Sequence, residues 1–141
     1  MNNMRHLGVY GVIIKEDKIA LVLKKKGAYK GKLDLPGGSI EQGERPEETL
    51  KREIKEELDN EVKKFELIDA ESVVVKWIHH EKEEILHHIG IIYKVSLKND
   101  KLKSNEDGHD SLGARWYNIK ELKEENVSPL VWIELNKLNK K

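Results

Sequence analysis

Three glutamates, Glu53, Glu56 and Glu57, fall at helical spacing just after a turn-rich loop that carries Pro36, Gly37, Gly38 and Gly43. Pro46 opens the helical pattern, where its missing N–H would have no partner in any case. At about 100° per residue, Leu50, Ile54 and Leu58 share an arc of about 80°, a stripe fit for a core. The three glutamates occupy the adjoining flank, spread over about the next 120°. Lys51, Lys55 and Glu48 lie on the far side, toward water. Carboxylates at the edge of a buried surface, beside a glycine-rich loop, suit a hard divalent cation such as magnesium. Such an ion takes several oxygens, some water and a phosphate-bearing substrate. The blander reading of the same residues is a solvated helix laced with Glu–Lys pairs.

The spacing on either side favours the metal reading. Pro36, Gly37 and Gly38, then Glu44, then Arg52-Glu53-Ile54 and Glu56-Glu57 resemble the Nudix box. That signature marks hydrolases of nucleoside diphosphates linked to another moiety. The resemblance implies an α+β chain folded as an α/β/α sandwich. Its mixed β-sheet would lie between helices, with the box as a loop–helix–loop at the edge. It implies that Glu53, Glu56 and Glu57 hold magnesium (or manganese) together with the carbonyl of Gly37. Arg52 would orient a box carboxylate, with Glu56 as its i+4 partner. Gly38 and Glu44 would be structural, Gly38 also facing substrate. The catalytic set on this reading is Arg52, Glu53, Glu56 and Glu57. The general base would be Glu53 or an acid from the loop 98–114, where Glu106 and Asp110 are candidates as base or further metal ligand.

The chain departs from that pattern at its helix ends. Asp59 and Asn60 stand where the family usually has Gly and an aliphatic residue. Glycine there serves a left-handed cap, which Asp or Asn adopts at a cost of about 1 kcal/mol. Arg45 occupies the position of a Ser or Thr cap, so a side-chain acceptor worth about 1 kcal/mol is missing. Glu47 and Glu48 in the first turn offset this through the helix dipole.

The elements that must position the box are short apolar runs. Residues 7–14 and 19–23 read as strands, the second apolar enough to be buried on both faces. Between them and the box lies Lys24-Lys25-Lys26-Gly27-Ala28-Tyr29-Lys30-Gly31-Lys32, five lysines with no acid. It reads as a solvated loop or as a phosphate-facing flap. In the second case Lys24, Lys26 and Lys32 contact substrate and Tyr29 stacks on a base. Beyond the box, strands are expected over 65–70, 73–80 and 85–97, the last two joined by a charged turn at 81–84. His79, His80, His87 and His88 lie on that hairpin. Adjacent histidines on a strand face opposite ways, so they read as structural or surface residues and not as a metal centre. A polar loop over 98–114, a strand at 115–118, a charged helical stretch through Glu125 and a helix opened by Ser128-Pro129 complete the chain.

Composition bounds the rest. The 141 residues are of a size for one domain, 1–141. Lys plus Arg equals Asp plus Glu at 26 each, so no global charge draws nucleic acid or membrane. The chain has no cysteine, which excludes disulfides and thiolate catalysis. No signal-type or membrane-spanning apolar run is present, and a cytoplasmic monomer or homodimer acting on a small nucleotide is expected. Among substrates, ADP-ribose relatives often carry a proline shortly after the box, whereas none lies here between Pro46 and Pro129. The marker tyrosine of dinucleoside-polyphosphate relatives falls near Trp77. A nucleoside triphosphate, plain or modified, is therefore the default, with ADP-ribose, nucleotide sugars or dinucleoside polyphosphates as alternatives. A non-catalytic nucleotide sensor of the same fold is the reading from another class.

Overall fold

The computed structural model describes residues 2–104 and 111–138. Its strands are β1 (Asn2–Val12), β2 (Ile14–Lys15), β3 (Lys18–Lys24), β4 (Leu33–Asp34), β5 (Gly37–Ser39), β6 (Val62–His79), β7 (Lys82–Leu97) and β8 (Ser111–Asn118). Its α-helices are α1 (Pro46–Leu58) and α2 (Pro129–Leu138). A mixed four-stranded sheet runs β5-β1-β7-β6, with β1 and β7 parallel and the other pairs antiparallel. A second sheet has β3 at its centre, paired antiparallel with β2, β4 and β8. The expected mixed sheet is present, and the second sheet is joined to it by bonds such as Ala20 N–H to the Ile13 carbonyl.

Strand alternation builds a core on each side of these sheets. Val9, Ile13, Ala20 and Val22 point one way and meet Leu50, Ile54 and Leu58 of α1. Tyr10, Val12, Ile19 and Leu21 point the other way and meet Leu130, Val131 and Leu135 of α2. The residues of 19–22 are all buried, as continuous apolarity on a doubly covered strand requires. Each such Leu or Ile contributes about 1.5–3 kcal/mol by leaving water, so the α1 stripe alone fixes the box helix firmly.

Several boundaries differ from expectation. The expected pieces 65–70 and 73–80 are one strand, β6, with register shifts near Lys63 and Ile68. The following turn is not 81–84 but His80-Glu81, both with positive φ (52° and 65°) between the paired ends His79 and Lys82. Strand β8 begins four residues earlier than 115. The charged stretch after it is two 3-10 turns, Ile119–Glu121 and Glu124–Asn126, in place of a helix. Among the described residues, no helix is long and apolar enough to cross a membrane.

Candidate active site

Two glycines shape the loop that enters α1. Gly37 has φ +144°, and a Cβ there would lie 2.1 Å from the Val9 carbonyl oxygen. Gly38 meets the box helix, where a Cβ would fall 2.8 Å from the Glu53 carboxyl group. The backbone thus passes close enough for α1 carboxylates to reach it. Glu57, almost fully buried, accepts a 2.7 Å hydrogen bond from the Gly37 N–H. That bond anchors Gly37 on its N–H side, next to the carbonyl that the family resemblance nominates as a metal ligand.

Arg52 organises the other carboxylates. Its Nε donates to Glu44 Oε2 at 2.7 Å and its Nη2 to Glu44 Oε1 at 3.0 Å, while Nη1 donates to Glu53 Oε1 at 2.9 Å. Glu56, the expected i+4 partner, is farther away at 3.6 Å. The pairing is corrected accordingly: Glu44 and Glu53 hold the guanidinium first, because a planar fork suits two oxygens of one carboxylate. Glu44 also accepts from the Glu41 N–H and the Thr49 hydroxyl. Hydrogen bonding to Arg52, then to the Glu41 backbone, brings its pKa down to about 2. Glu44 is therefore a charged prop that ties the loop to the helix.

The helix ends resolve the two departures. Asp59 takes the left-handed conformation (φ 50°, ψ 47°) and its N–H returns to the Lys55 carbonyl. At the other end Glu48 accepts from the Arg45 N–H at 2.9 Å, a backbone bond added to the expected dipole effect. Asn60, buried, sends its amide group to the Asn99 and Lys101 carbonyls at 3.0 and 2.8 Å. The usual aliphatic residue is here a polar staple that holds the start of the 98–104 loop beside α1. Glu106 and Asp110 lie outside the described residues.

A cleft of about 290 Å³ opens beside the box. Glu53, Gly37, Gly38 and Ser39 border it on one side, and Lys24, Lys26 and Tyr29 on the other. Lys32 is not among its lining residues and closes the lysine loop through backbone bonds to Lys24 and Tyr29. Glu56 is on the outer side of α1, with 42% of its side chain exposed. A larger groove of about 1020 Å³ lies between β6, β7 and the end of α2, yet no box residue lines it. Of these two, the smaller brings the box and the basic loop together.

The match of a family model then decides the family: the NUDIX domain model covers residues 4–134. The chain belongs to the Nudix hydrolase family. It is 32% identical over 105 residues to the ADP-ribose pyrophosphatase of Methanocaldococcus jannaschii, a match covering 74% of this chain and 59% of that protein. It is 30% identical over 113 residues to the nucleoside triphosphatase NudI of Escherichia coli, covering 76% of this chain and 80% of that one. A putative nudix hydrolase of Caenorhabditis elegans matches at 30% identity over 79% of this chain and only 27% of its own length. Among solved structures, a MutT NUDIX hydrolase from Burkholderia pseudomallei superposes with a TM-score of 0.66 at 23% identity, covering 94% of this chain and 97% of that one. A NUDIX-family hydrolase from Clostridium perfringens gives 0.61 at 22% identity, with 94% of each chain covered. These two likenesses concern the Nudix fold.

The floor of the cleft holds one residue that the sequence reading gave no part in the site. His88, read as structural or surface, is 1% exposed and lies between two tyrosines. Its Nε2 is 2.7 Å from the Tyr10 hydroxyl and its Nδ1 2.8 Å from the Tyr29 hydroxyl. Burial, then the nearby His6 and Lys24 charges, push its pKa down to about 4, so the imidazole is neutral at pH 7. Tyr29 is accordingly no exposed stacking platform: it is 7% exposed and burial raises the pKa of its phenol. Asp34, buried at the cleft wall, accepts from the Ser128 hydroxyl and the Leu35 N–H. Ser128, expected as a helix cap, thus links the start of α2 to the strand entering the box. The only signal in the sequence was a polar residue inside an apolar run, His88 before Ile89-Gly90-Ile91-Ile92 and Asp34 between leucines.

Proposed function

We propose that this Nudix domain cleaves the diphosphate linkage of a nucleotide with the help of a divalent cation. The preferred substrate is a nucleoside triphosphate, plain or modified, split to the monophosphate and pyrophosphate. A carboxylate base takes a proton from water, the water oxygen forms the new bond to phosphorus, the bridging P–O bond breaks, and pyrophosphate leaves with that electron pair. One observation carries the reading: Glu53, oriented by Arg52 and given room by Gly38, shares a cleft with Lys24 and Lys26.

The donor chemistry fits magnesium or manganese. Glu53, Glu56, Glu57 and the Gly37 carbonyl are all hard oxygen donors, and Gly38 leaves space over the Glu53 carboxylate. Among the described residues no three acids or histidines stand close enough to enclose a cation as they are. Glu53 meets Arg52, and Glu57 the Gly37 N–H, through one oxygen each, so a cation would be held through the second oxygens while these bonds stay in place. A bound divalent ion would supply charge neutralisation and an acidified water. Arg52 then keeps Glu53 in place, and Glu44 keeps Arg52 in place. Lys24 and Lys26 meet the extra phosphate charge that a triphosphate carries over ADP-ribose.

The relatives support both substrate classes. The nucleoside triphosphatase from Escherichia coli is matched over most of its length. A second reading, ADP-ribose hydrolysis, is favoured by the Methanocaldococcus relative, of which this chain spans 59%. Intact box carboxylates favour catalysis over a nucleotide sensor. The test is kcat/KM over a panel of triphosphates, ADP-ribose, nucleotide sugars and dinucleoside polyphosphates with magnesium or manganese. A triphosphate should lead; a tenfold preference for ADP-ribose, about 1.4 kcal/mol, would reverse the substrate assignment.

A further inference from the structure

The lysine loop runs from the end of β3 to the start of β4. Within itself it is closed by backbone bonds, Lys24 N–H to the Lys32 carbonyl and Gly31 N–H to the Lys24 carbonyl. The Tyr29 side chain reaches inward from it to β7. Its hydroxyl is on Nδ1 of His88, and its ring lies tilted against the imidazole at 5.5 Å. His88 is in the middle of β7, paired with His6 of β1 on one side and Val73 of β6 on the other. Its ring stacks on His6 at 4.9 Å, and its other nitrogen holds Tyr10. Tyr10 in turn is the β1 residue opposite Gly37. One imidazole therefore joins the loop that carries Lys24 and Lys26 to β1, the strand paired with the box strand β5.

We propose that His88 is a positioning residue that latches the lysine loop over the cleft through the Tyr29 hydroxyl. The latch sets where the ammonium groups of Lys24 and Lys26 stand relative to Glu53. The backbone bonds of the loop set its own shape, but with Gly27 and Gly31 in it they do not fix how it lies over the cleft. A hydrogen bond to a residue rigid in mid-sheet removes that freedom before substrate arrives, which improves binding by preorganisation. Its effect on substrate rests on the proposed triphosphate reading; its effect on the loop does not.

The test uses Tyr29→Phe, which removes only the hydroxyl, and His88→Phe, which keeps a ring without nitrogens. Tryptic cleavage of the native protein after Lys25, Lys26 and Lys30 reports opening of the loop, with cleavage after Lys120 and Lys123 as the control for general loosening. Tyr29→Phe should speed cleavage in the loop about fivefold or more and leave the control sites unchanged. The double variant should add little to His88→Phe, because that change already removes the bond to Tyr29. With a triphosphate and magnesium, KM should rise more than kcat falls. Unchanged loop cleavage in Tyr29→Phe would overturn the latch, even if His88→Phe failed to fold. Faster cleavage with an unchanged KM would overturn its role in substrate binding. If the wild-type protein hydrolysed no nucleotide, the proposed activity would fail while the cleavage rates still decided the latch.

Discussion

Arg52 and Glu44 form a two-pronged ion pair, Nε to Oε2 at 2.7 Å and Nη2 to Oε1 at 3.0 Å. The pair spans the box loop and the box helix, and leaves Nη1 for Glu53. A lysine would keep the charge but could not make the fork and reach Glu53 together. Arg52→Lys should therefore lower kcat by about tenfold or more, equivalent to about 1.4 kcal/mol in the barrier, with a smaller change in KM. Steady-state kinetics at saturating magnesium would show it. A variant with wild-type kcat would mean that Glu53 needs no such support.

The two loop glycines should fail in different ways. Gly37→Ala places a Cβ against the Val9 backbone at a φ that L residues rarely adopt, and nothing there can move aside. It should prevent folding or lower Tm sharply. Gly38→Ala first meets the end of the Glu53 side chain, which can turn away. It should fold with a small change in Tm and lose most activity. Thermal melts beside activity assays separate the two, and equal Tm losses would contradict the distinction.

Asn60 offers a test of stability alone. Its amide holds the 98–101 loop against the end of α1, and Lys103 N–H adds a bond to the Leu58 carbonyl. Asn60→Leu restores the residue type usual in the family but strands two carbonyl acceptors. A loss of about 1–3 kcal/mol is expected in urea unfolding. A neutral or stabilising result would show that the staple is dispensable.

Much of the site was legible because it depends on local spacing. The α1 stripe, Pro46 at its start and Asp59 in the left-handed region all follow from one contiguous stretch. What was not legible depends on distant partners. His88 meets Tyr10 and Tyr29 from 78 and 59 residues away, and no periodicity announces that meeting. The His80-Glu81 turn escaped because neither residue is a usual carrier of positive φ, and a hairpin with many cross-strand pairs overrides that preference. Strand β6 read as two pieces because the polar pair Glu71-Ser72 interrupts its apolar residues, yet both pair with β7 across the sheet.

Far from the cleft, α2 is clasped to β6 by Glu134, Asp69, Glu71 and Lys137. Lys137 bonds to Asp69 and Glu71, the latter at 2.7 Å. Burial, then a hydrogen bond to Asp69, raises the Glu134 pKa well above the carboxylate range. The folded state therefore binds this proton more tightly than the unfolded chain does. The associated stability is fully present below the ordinary carboxylate pKa and is lost as pH rises through the folded value. Glu134→Gln, which cannot ionise, should gain in Tm relative to wild type between pH 6 and pH 9. Parallel melting curves across that range would refute the raised pKa.

The central claim is that the box carboxylates hold the cation that drives diphosphate cleavage. Its most direct measurement is magnesium-dependent pyrophosphate release from a nucleoside triphosphate by wild type, Glu56→Gln and Glu57→Gln, each checked for an unchanged fold by circular dichroism. Wild type should release pyrophosphate and monophosphate in equal amounts only with the cation present, and both variants should lose about a hundredfold or more in kcat at saturating magnesium. Near wild-type turnover in both folded variants would contradict the account.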